Sequence, residues 1–139
     1  SLTMNEKHSA ICHLTFYETA AVSIDTGIGR PTAKLTVKSD GIILPAVGAS
    51  LSEVRSASGS FVDIELSAKI TDTSASMENL LLQCSYRYGV LVLHYTDGSK
   101  KLLGSLRSPI LLTYEKSGIP AAFVLSVKGS QPEYAKFIP

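Results

Sequence analysis

Histidine and cysteine are the residue types that could bind a metal ion here. Cys12 and His13 are adjacent, so in an extended strand their side chains point to opposite faces and cannot share an ion. No pair or group has a spacing typical of a metal site, and a zinc ion would need ligands from distant parts of the chain. The sequence therefore predicts no metal site. His94, inside an apolar run, is interpreted as an ordinary sheet histidine on a wetter face or with a hydrogen-bond partner. The histidines and cysteines of the chain are His8, His13, His94, Cys12 and Cys84.

No pattern of nucleophile, base and acid stands out. The stretch Gly48–Ser52 lacks the second glycine of a Gly-x-Ser-x-Gly turn, and 19 serines make chance trios with histidine and aspartate easy. Asp63 and Glu65 lie two residues apart, which places both carboxylates on the solvated face of a strand. The glycines of residues 25–31 follow neither the phosphate-loop nor the dinucleotide pattern. The sequence predicts no enzyme and no cofactor.

Four basic residues form a candidate contact surface. The four residues are Arg87, Lys100, Lys101 and Arg107. They fall within a stretch of 21 residues in which Asp97 is the only acid. Lysines commonly protect sheet edges against aggregation, which is one interpretation. The other is a patch that contacts a phosphate or an acidic partner surface. Four charges without interleaved exposed aromatic residues are few for nucleic acid, so a nucleic-acid partner is not expected.

The second half of the chain, from Tyr88 to Gly129, contains three β-prone runs separated by two turns. Residues 90–95 and 100–104 flank an Asp97-Gly98 turn and predict a hairpin. The runs 110–115 and 123–128 flank a second turn that contains Gly118 and Pro120, and residues 134–138 are a candidate last short strand. The other elements are predicted to pack on this stretch.

The middle of the chain has the clearest periodicities. From Val62 to Ile70, apolar and polar residues alternate strictly, as in a strand with one wet face. Four apolar residues then recur at i, i+3, i+4 and i+7, with several candidate N-caps before them. The four apolar residues are Met77, Leu80, Leu81 and Cys84. Their spacing predicts a helix from about Ala75 to Ser85.

The first half is less regular. Residues 10–17 are predicted to form a first strand, and residues 32–38 and 42–47 a hairpin about Asp40-Gly41, with Pro45 favouring an edge position. Residues 48–60, rich in serine, alanine and glycine, are predicted to be a long loop or a floppy hairpin. This segment is a candidate contact arm, although the pattern favours a solvated connection.

Composition places these elements in one domain. The 139 residues are 45% apolar and 18% charged, with a net charge of +1. These values fit a single globular domain over residues 1–139, with residues 1–9 disordered or left over from expression. The predicted fold is mainly β (α+β), an antiparallel β-barrel or sandwich of about seven or eight strands with one helix at about 75–85. Both cysteines are interpreted as buried thiols of a reducing compartment, with a disulfide between them as the alternative.

No signal peptide or membrane-spanning run is visible in the sequence. The chain is therefore not expected to be secreted by way of a signal peptide.

The second half resembles a group of small proteins carried in prophage regions of gut bacteria. The motifs are V-L-V-L-H-Y-T-D-G-S-K-K-L-L-G-S, R-S-P-I-L-L-T-Y-E-K-S-G and A-F-V-L-S-V-K-G, followed by a terminal aromatic segment. The resemblance covers residues 61–138, while residues 1–60 show no clear match and the turn after Glu115 is shorter than in that group. The residues that carry it are Asp97, Gly98, Leu103, Gly104, Pro109, Leu111, Thr113, Gly118 and Gly129.

The resemblance implies a phage virion or tail-assembly component, similar to tail-tube and tail-terminator proteins. It also implies that the protein is located in the bacterial cytoplasm or in a phage particle. Such a protein would be non-catalytic and would form homo-oligomers, or join other particle proteins, through strand edges and long loops. The alternative is a small binding module that holds an anionic ligand or a partner protein with the four basic residues.

Overall fold

The computed structural model describes residues 10–25, 29, 31–59 and 61–139. This part of the chain contains eleven strands, one α-helix (α1, Ala75–Cys84) and a short 3₁₀ helix (Thr19–Ala21). The predicted state of residues 1–9 lies outside the described residues. The strands are β1 (Ile11–Glu18), β2 (Val22–Asp25), β3 (Lys34–Val37), β4 (Ile42–Pro45), β5 (Val47–Arg55), β6 (Val62–Ile70), β7 (Tyr88–Tyr95), β8 (Lys100–Leu103), β9 (Ile110–Ser117), β10 (Ala122–Gln131) and β11 (Lys136–Ile138).

Nine strands form one antiparallel sheet that curves around the core without closing. Neighbouring strands follow the order β4-β1-β7-β9-β10-β6-β5, and the β8-β11 pair extends from the same side of β7 as β9. Among the described residues, no ladder joins β4 to β5, although the two are consecutive in the chain. The mainly β prediction is confirmed, and the sheet is an open barrel rather than a closed one.

Strand β7 pairs with β1 along one edge and with both β8 and β9 along the other. β8 pairs with β7, and after the connection 104–109 the chain continues as β9, which mostly pairs with β10. Gly89 lies opposite Glu18 on one side and Ile110 on the other. A Cβ at this position would lie 2.4 Å from the carbonyl oxygen of Tyr17, so only glycine permits the close approach of these backbones.

One hydrophobic core fills the inside of the curve. The alternating residues of β6 predicted to face inwards are all buried, and the alternating residues Phe123, Leu125 and Val127 of β10 join them. Helix α1 contributes Met77, Leu81 and Cys84 to the same core. Ser74 caps this helix by accepting a hydrogen bond from the Met77 N–H at 3.2 Å. The predicted helix and its apolar stripe are therefore confirmed.

A second, smaller core lies on the outer face of β7 and β8. The hairpin of β2 and β3 is a separate two-stranded sheet, and it packs on this face through Val22. Val90 and Val92 point to this smaller core, while Leu91 and Leu93 point to the larger one. The apolar composition of β7 on both faces follows from this position between two layers.

One prediction of strand pairing is wrong. Residues 32–38 and 42–47 do not form a hairpin, because β3 pairs with β2 and β4 pairs with β1. Gly41 does not form a hairpin turn but allows a close approach of the backbone to β1. A Cβ on Gly41 would lie 2.6 Å from Tyr17 Cε1, so the residue is small because the backbone passes close to β1.

Of the two structures predicted for residues 48–60, the long loop is wrong and the hairpin is present, because β5 occupies residues 47–55 and pairs with the next strand, β6. After β5, the rest of residues 48–60 forms a short turn that includes Gly59, and Ser60 is not among the described residues. Backbone pairing with the regular strand β6 supplies the hydrogen bonds that a serine-rich segment would otherwise take from water. With β5, the number of strands exceeds the predicted seven or eight.

Candidate interaction sites

The four basic residues do not form one patch. Arg87 precedes β7 and forms an ion pair with Glu18, whereas Lys100 lies opposite His94 near the other end of that strand. The intervening residues of β7 span about 20 Å at the usual rise per residue. Arg107 lies in the connection between β8 and β9.

Lys100 and Lys101 are neighbours on β8 and therefore point to opposite faces. Lys100 lies on the face of the smaller core and lines a pocket of about 300 Å³ together with Tyr17 and His94. Lys101 points to the inside of the open barrel. Its ammonium lies 3.9 Å from Glu53 Oε1 and 5.0 Å from the centroid of the Phe137 ring. A single ligand cannot contact both ammonium groups from one side of the strand.

Glu53 connects the end of β5 to the C-terminal segment. Its Oε2 accepts a hydrogen bond from the Ala135 N–H at 2.6 Å, and only 14% of its side chain is exposed. Two residues further, Arg55 lies 5.2 Å from the centroid of the Tyr134 ring and donates to the Pro132 carbonyl at 3.5 Å. These side-chain contacts replace a backbone ladder at this end of the barrel.

A cleft of about 570 Å³ lies where the C-terminal segment crosses the outer face of β8. Its apolar floor is formed by Ile24, Ala33 and Leu102. One wall is the connection after β8, residues 104–108, and the other is the segment 131–136. The cleft is therefore built from three parts of the chain that are far apart in sequence.

Hydrogen bonds hold the two walls of this cleft together. The side chain of Gln131, which is buried, accepts from the Gly104 N–H at 3.0 Å and donates to the Glu133 carbonyl at 2.8 Å. The carboxylate of Glu133 lies 2.8 Å from Lys136 Nζ and accepts from the Gly29 N–H at 3.0 Å. The hydrogen bond from Lys136, and then that from Gly29, lowers the pKa of Glu133.

Sequence reasoning selected Arg107 of this cleft but missed Gln131, Glu133 and Lys136. The polar residues of the segment Q-P-E-Y-A-K carry no pattern that distinguishes them from an exposed tail.

The histidines lie closer to Cys12 than predicted. A β-bulge between Ile11 and His13 breaks the alternation of side chains, so Cys12 Sγ lies 3.5 Å from His13 Nδ1. The His13 ring stacks on His94 with centroids 4.0 Å apart, and His94 Nε2 lies 3.0 Å from Thr15 Oγ1. His94 thus has the hydrogen-bond partner predicted for it. In the described ranges no group of three or more potential ligands is arranged to hold a metal ion.

The thiols differ in their surroundings. Cys84 is buried, and its burial raises its pKa to about 11. Cys12 is exposed, so its prediction as a buried thiol is wrong. Its Sγ donates to the His94 carbonyl at 3.2 Å.

The free edges of the large sheet are the last candidate contact surfaces. β4 and β11 are short, and β4 ends in Pro45, so both are poor templates for another strand. β5 has nine residues and pairs only with β6 in the part of the chain that the structure describes. A bulge interrupts β5 between Val47 and Ser50, which leaves residues 50–55 as the regular free edge.

The backbone groups of this edge can be assigned. The Ser56 N–H donates to the carbonyl of Phe61, one step beyond the Arg55–Val62 pair. In an antiparallel ladder every second residue bonds to the partner strand, so Ser52 and Val54 bond to β6. The N–H and C=O groups of Leu51, Glu53 and Arg55 point away from β6.

None of the described helices is long and apolar enough to cross a membrane. No protein-family model, curated protein or solved structure matches the chain.

Proposed function

We propose that this protein is a non-catalytic structural protein that self-associates by pairing the free edge of β5 with an edge strand of a second copy. The observation that carries the proposal is the open barrel, in which the nine-residue strand β5 forms a backbone ladder on one side only within the described part of the chain. An unpaired row of backbone donors and acceptors is a template for another strand.

The side chains of β5 favour such pairing. Ser50 and Ser52 are small and exposed, and Val54 exposes 58% of its surface beside them. Neither a lysine nor a proline occurs between Val47 and Arg55. The net charge of +1 also opposes association only weakly.

The proposed setting is a phage or prophage-derived particle, as a tail-tube or tail-terminator type of component. Support for this setting is the resemblance of residues 61–138 to prophage-borne proteins, together with a mainly β fold that has open edges. Tail, baseplate or portal genes beside the gene for this chain would strengthen the proposal, and an unrelated metabolic operon would count against it.

A lysine on the edge strand tests the contact. Ser52→Lys places a charge on the exposed face of β5, where a second strand would bring like charges together. Ser67→Lys is the matched control, because Ser67 is exposed on the same face but lies on β6, which is paired on both sides. Both proteins should fold equally well, as judged by circular dichroism.

Light scattering after size exclusion gives the oligomeric state over a range of protein concentrations. We expect the unmodified protein and Ser67→Lys to associate at concentrations of about 1 mM or below, an affinity of about −4 kcal/mol, and Ser52→Lys to remain a monomer. An unmodified protein that is monomeric up to that concentration, or a Ser52→Lys variant that associates equally, would contradict the proposal.

A further inference from the structure

We propose that the 570 Å³ cleft binds a small organic acid with an apolar body, whose acidic group pairs with Arg107. The proposal rests on one juxtaposition. Arg107, which has no acidic partner among the described residues, lines a concave site of ligand size together with exposed apolar side chains and an apolar floor.

The charges of the cleft leave Arg107 available. Among the described residues that line it, Glu133 is the only acid. Its carboxylate is already held by Lys136 Nζ and by the Gly29 N–H. Arg107 has no ion pair with any described residue, whereas Arg87, predicted beside it, pairs with Glu18. The cleft therefore has an excess positive charge that an anion would neutralise.

The apolar surface of the cleft favours an organic anion over a hydrated inorganic one. Leu106 and Tyr134 are exposed to 46% and 49%, and they lie on opposite walls. Ile24, Ala33 and Leu102 provide the floor between them. A flat aromatic or a short aliphatic body would cover these side chains, and its burial would add to the affinity. The volume of about 570 Å³ is in the range of sites for small molecules.

The walls are held in place before any ligand binds. Gly104, at a φ of +89°, begins the wall that carries Arg107, and its N–H is fixed by Gln131. The Ser105 N–H donates to the Ser108 carbonyl, and Ser105 Oγ accepts from the Ser108 N–H, both at 3.0 Å. Because this turn is closed on itself, binding would order little additional backbone.

The probe for this site is 8-anilinonaphthalene-1-sulfonate, an aromatic monoanion whose fluorescence rises in apolar sites. N-phenyl-1-naphthylamine, which has a similar ring system without the sulfonate, reports the apolar part alone. Arg107→Gln removes the charge, and Arg87→Gln is the matched control, an exposed arginine outside the cleft. The inference does not rest on self-association, and titrations repeated in the Ser52→Lys background keep the two separate.

We expect Arg107→Gln to weaken binding of the sulfonate about tenfold and to leave binding of the neutral probe unchanged. Arg87→Gln should change neither. Amide chemical shifts of ¹⁵N-labelled protein should move at residues 104–108 and 131–136 when the sulfonate is added. Equal affinity of Arg107→Gln and the unmodified protein, shifts confined to other surfaces, or no binding of the sulfonate would each overturn the proposal.

Discussion

Glu53 is the side chain whose removal tests most directly how the open end of the barrel is held. Its carboxylate contacts two groups, the Ala135 N–H at 2.6 Å and the Lys101 ammonium at 3.9 Å. Both side chains of the ion pair are largely buried, with 14% and 23% exposed. Substitution by alanine removes both contacts at once, whereas substitution by glutamine keeps an oxygen that can accept from Ala135.

The two distances predict which contact dominates. A hydrogen bond to a charged group contributes about 1.5–3 kcal/mol, and a buried N–H left without a partner adds a desolvation cost. The ammonium lies 3.9 Å from Oε1, beyond hydrogen-bond distance, so replacing Lys101 breaks no hydrogen bond and we expect the ion pair to contribute roughly 1 kcal/mol or less. We therefore expect Glu53→Ala to lower the free energy of unfolding by about 3 kcal/mol and Lys101→Met by about 1 kcal/mol or less.

Urea unfolding at neutral pH, followed by circular dichroism, measures these values for the single variants and the Glu53→Ala/Lys101→Met pair. The coupling between the two sites should be small, and Glu53→Gln should retain most of the stability. Hydrogen exchange should show that the Ala135 amide loses protection in Glu53→Ala and keeps it in Lys101→Met. A Lys101→Met variant as unstable as Glu53→Ala, or an unchanged Ala135 amide, would refute this reasoning.

Two further predictions concern titratable groups. Burial, with the nearby charges of His13 and Lys100, lowers the pKa of His94, so the unfolded chain takes up a proton before the folded one as the pH falls. Stability should therefore decrease as the pH drops below about 6.5, and urea midpoints at pH 7.5, 6 and 5 should show a smaller decrease in His94→Asn than in the unmodified protein. A disulfide reagent with a chromogenic leaving group should react with one thiol of the native protein, Cys12, and with Cys84 only after unfolding, since Cys84 is buried and its pKa is raised to about 11. Release of two equivalents from the native protein would show that the core around Cys84 opens readily.

Local patterns in the sequence determined the elements whose residues alternate or repeat regularly. The period of two from Val62 to Ile70 and the stripe of Met77, Leu81 and Cys84 are both present as predicted. The Asp97-Gly98 turn also lies where its residues indicate, with Gly98 at a φ of +89°. Each of these features depends on a few consecutive residues, so the composition of a short window is enough to identify them.

Partners across long sequence distances were decided only by the tertiary structure. β5 has no strong β-pattern and forms because β6 offers it a ladder. β3 and β4, for which the Asp40-Gly41 dipeptide predicts a hairpin, pair instead with β2 and β1, and the backbone at Gly41 passes close to Tyr17. The four basic residues, close in sequence, are separated because adjacent residues of a strand face opposite sides. The cleft beside Arg107 arises where three distant segments cross, and no spacing within one segment encodes that crossing.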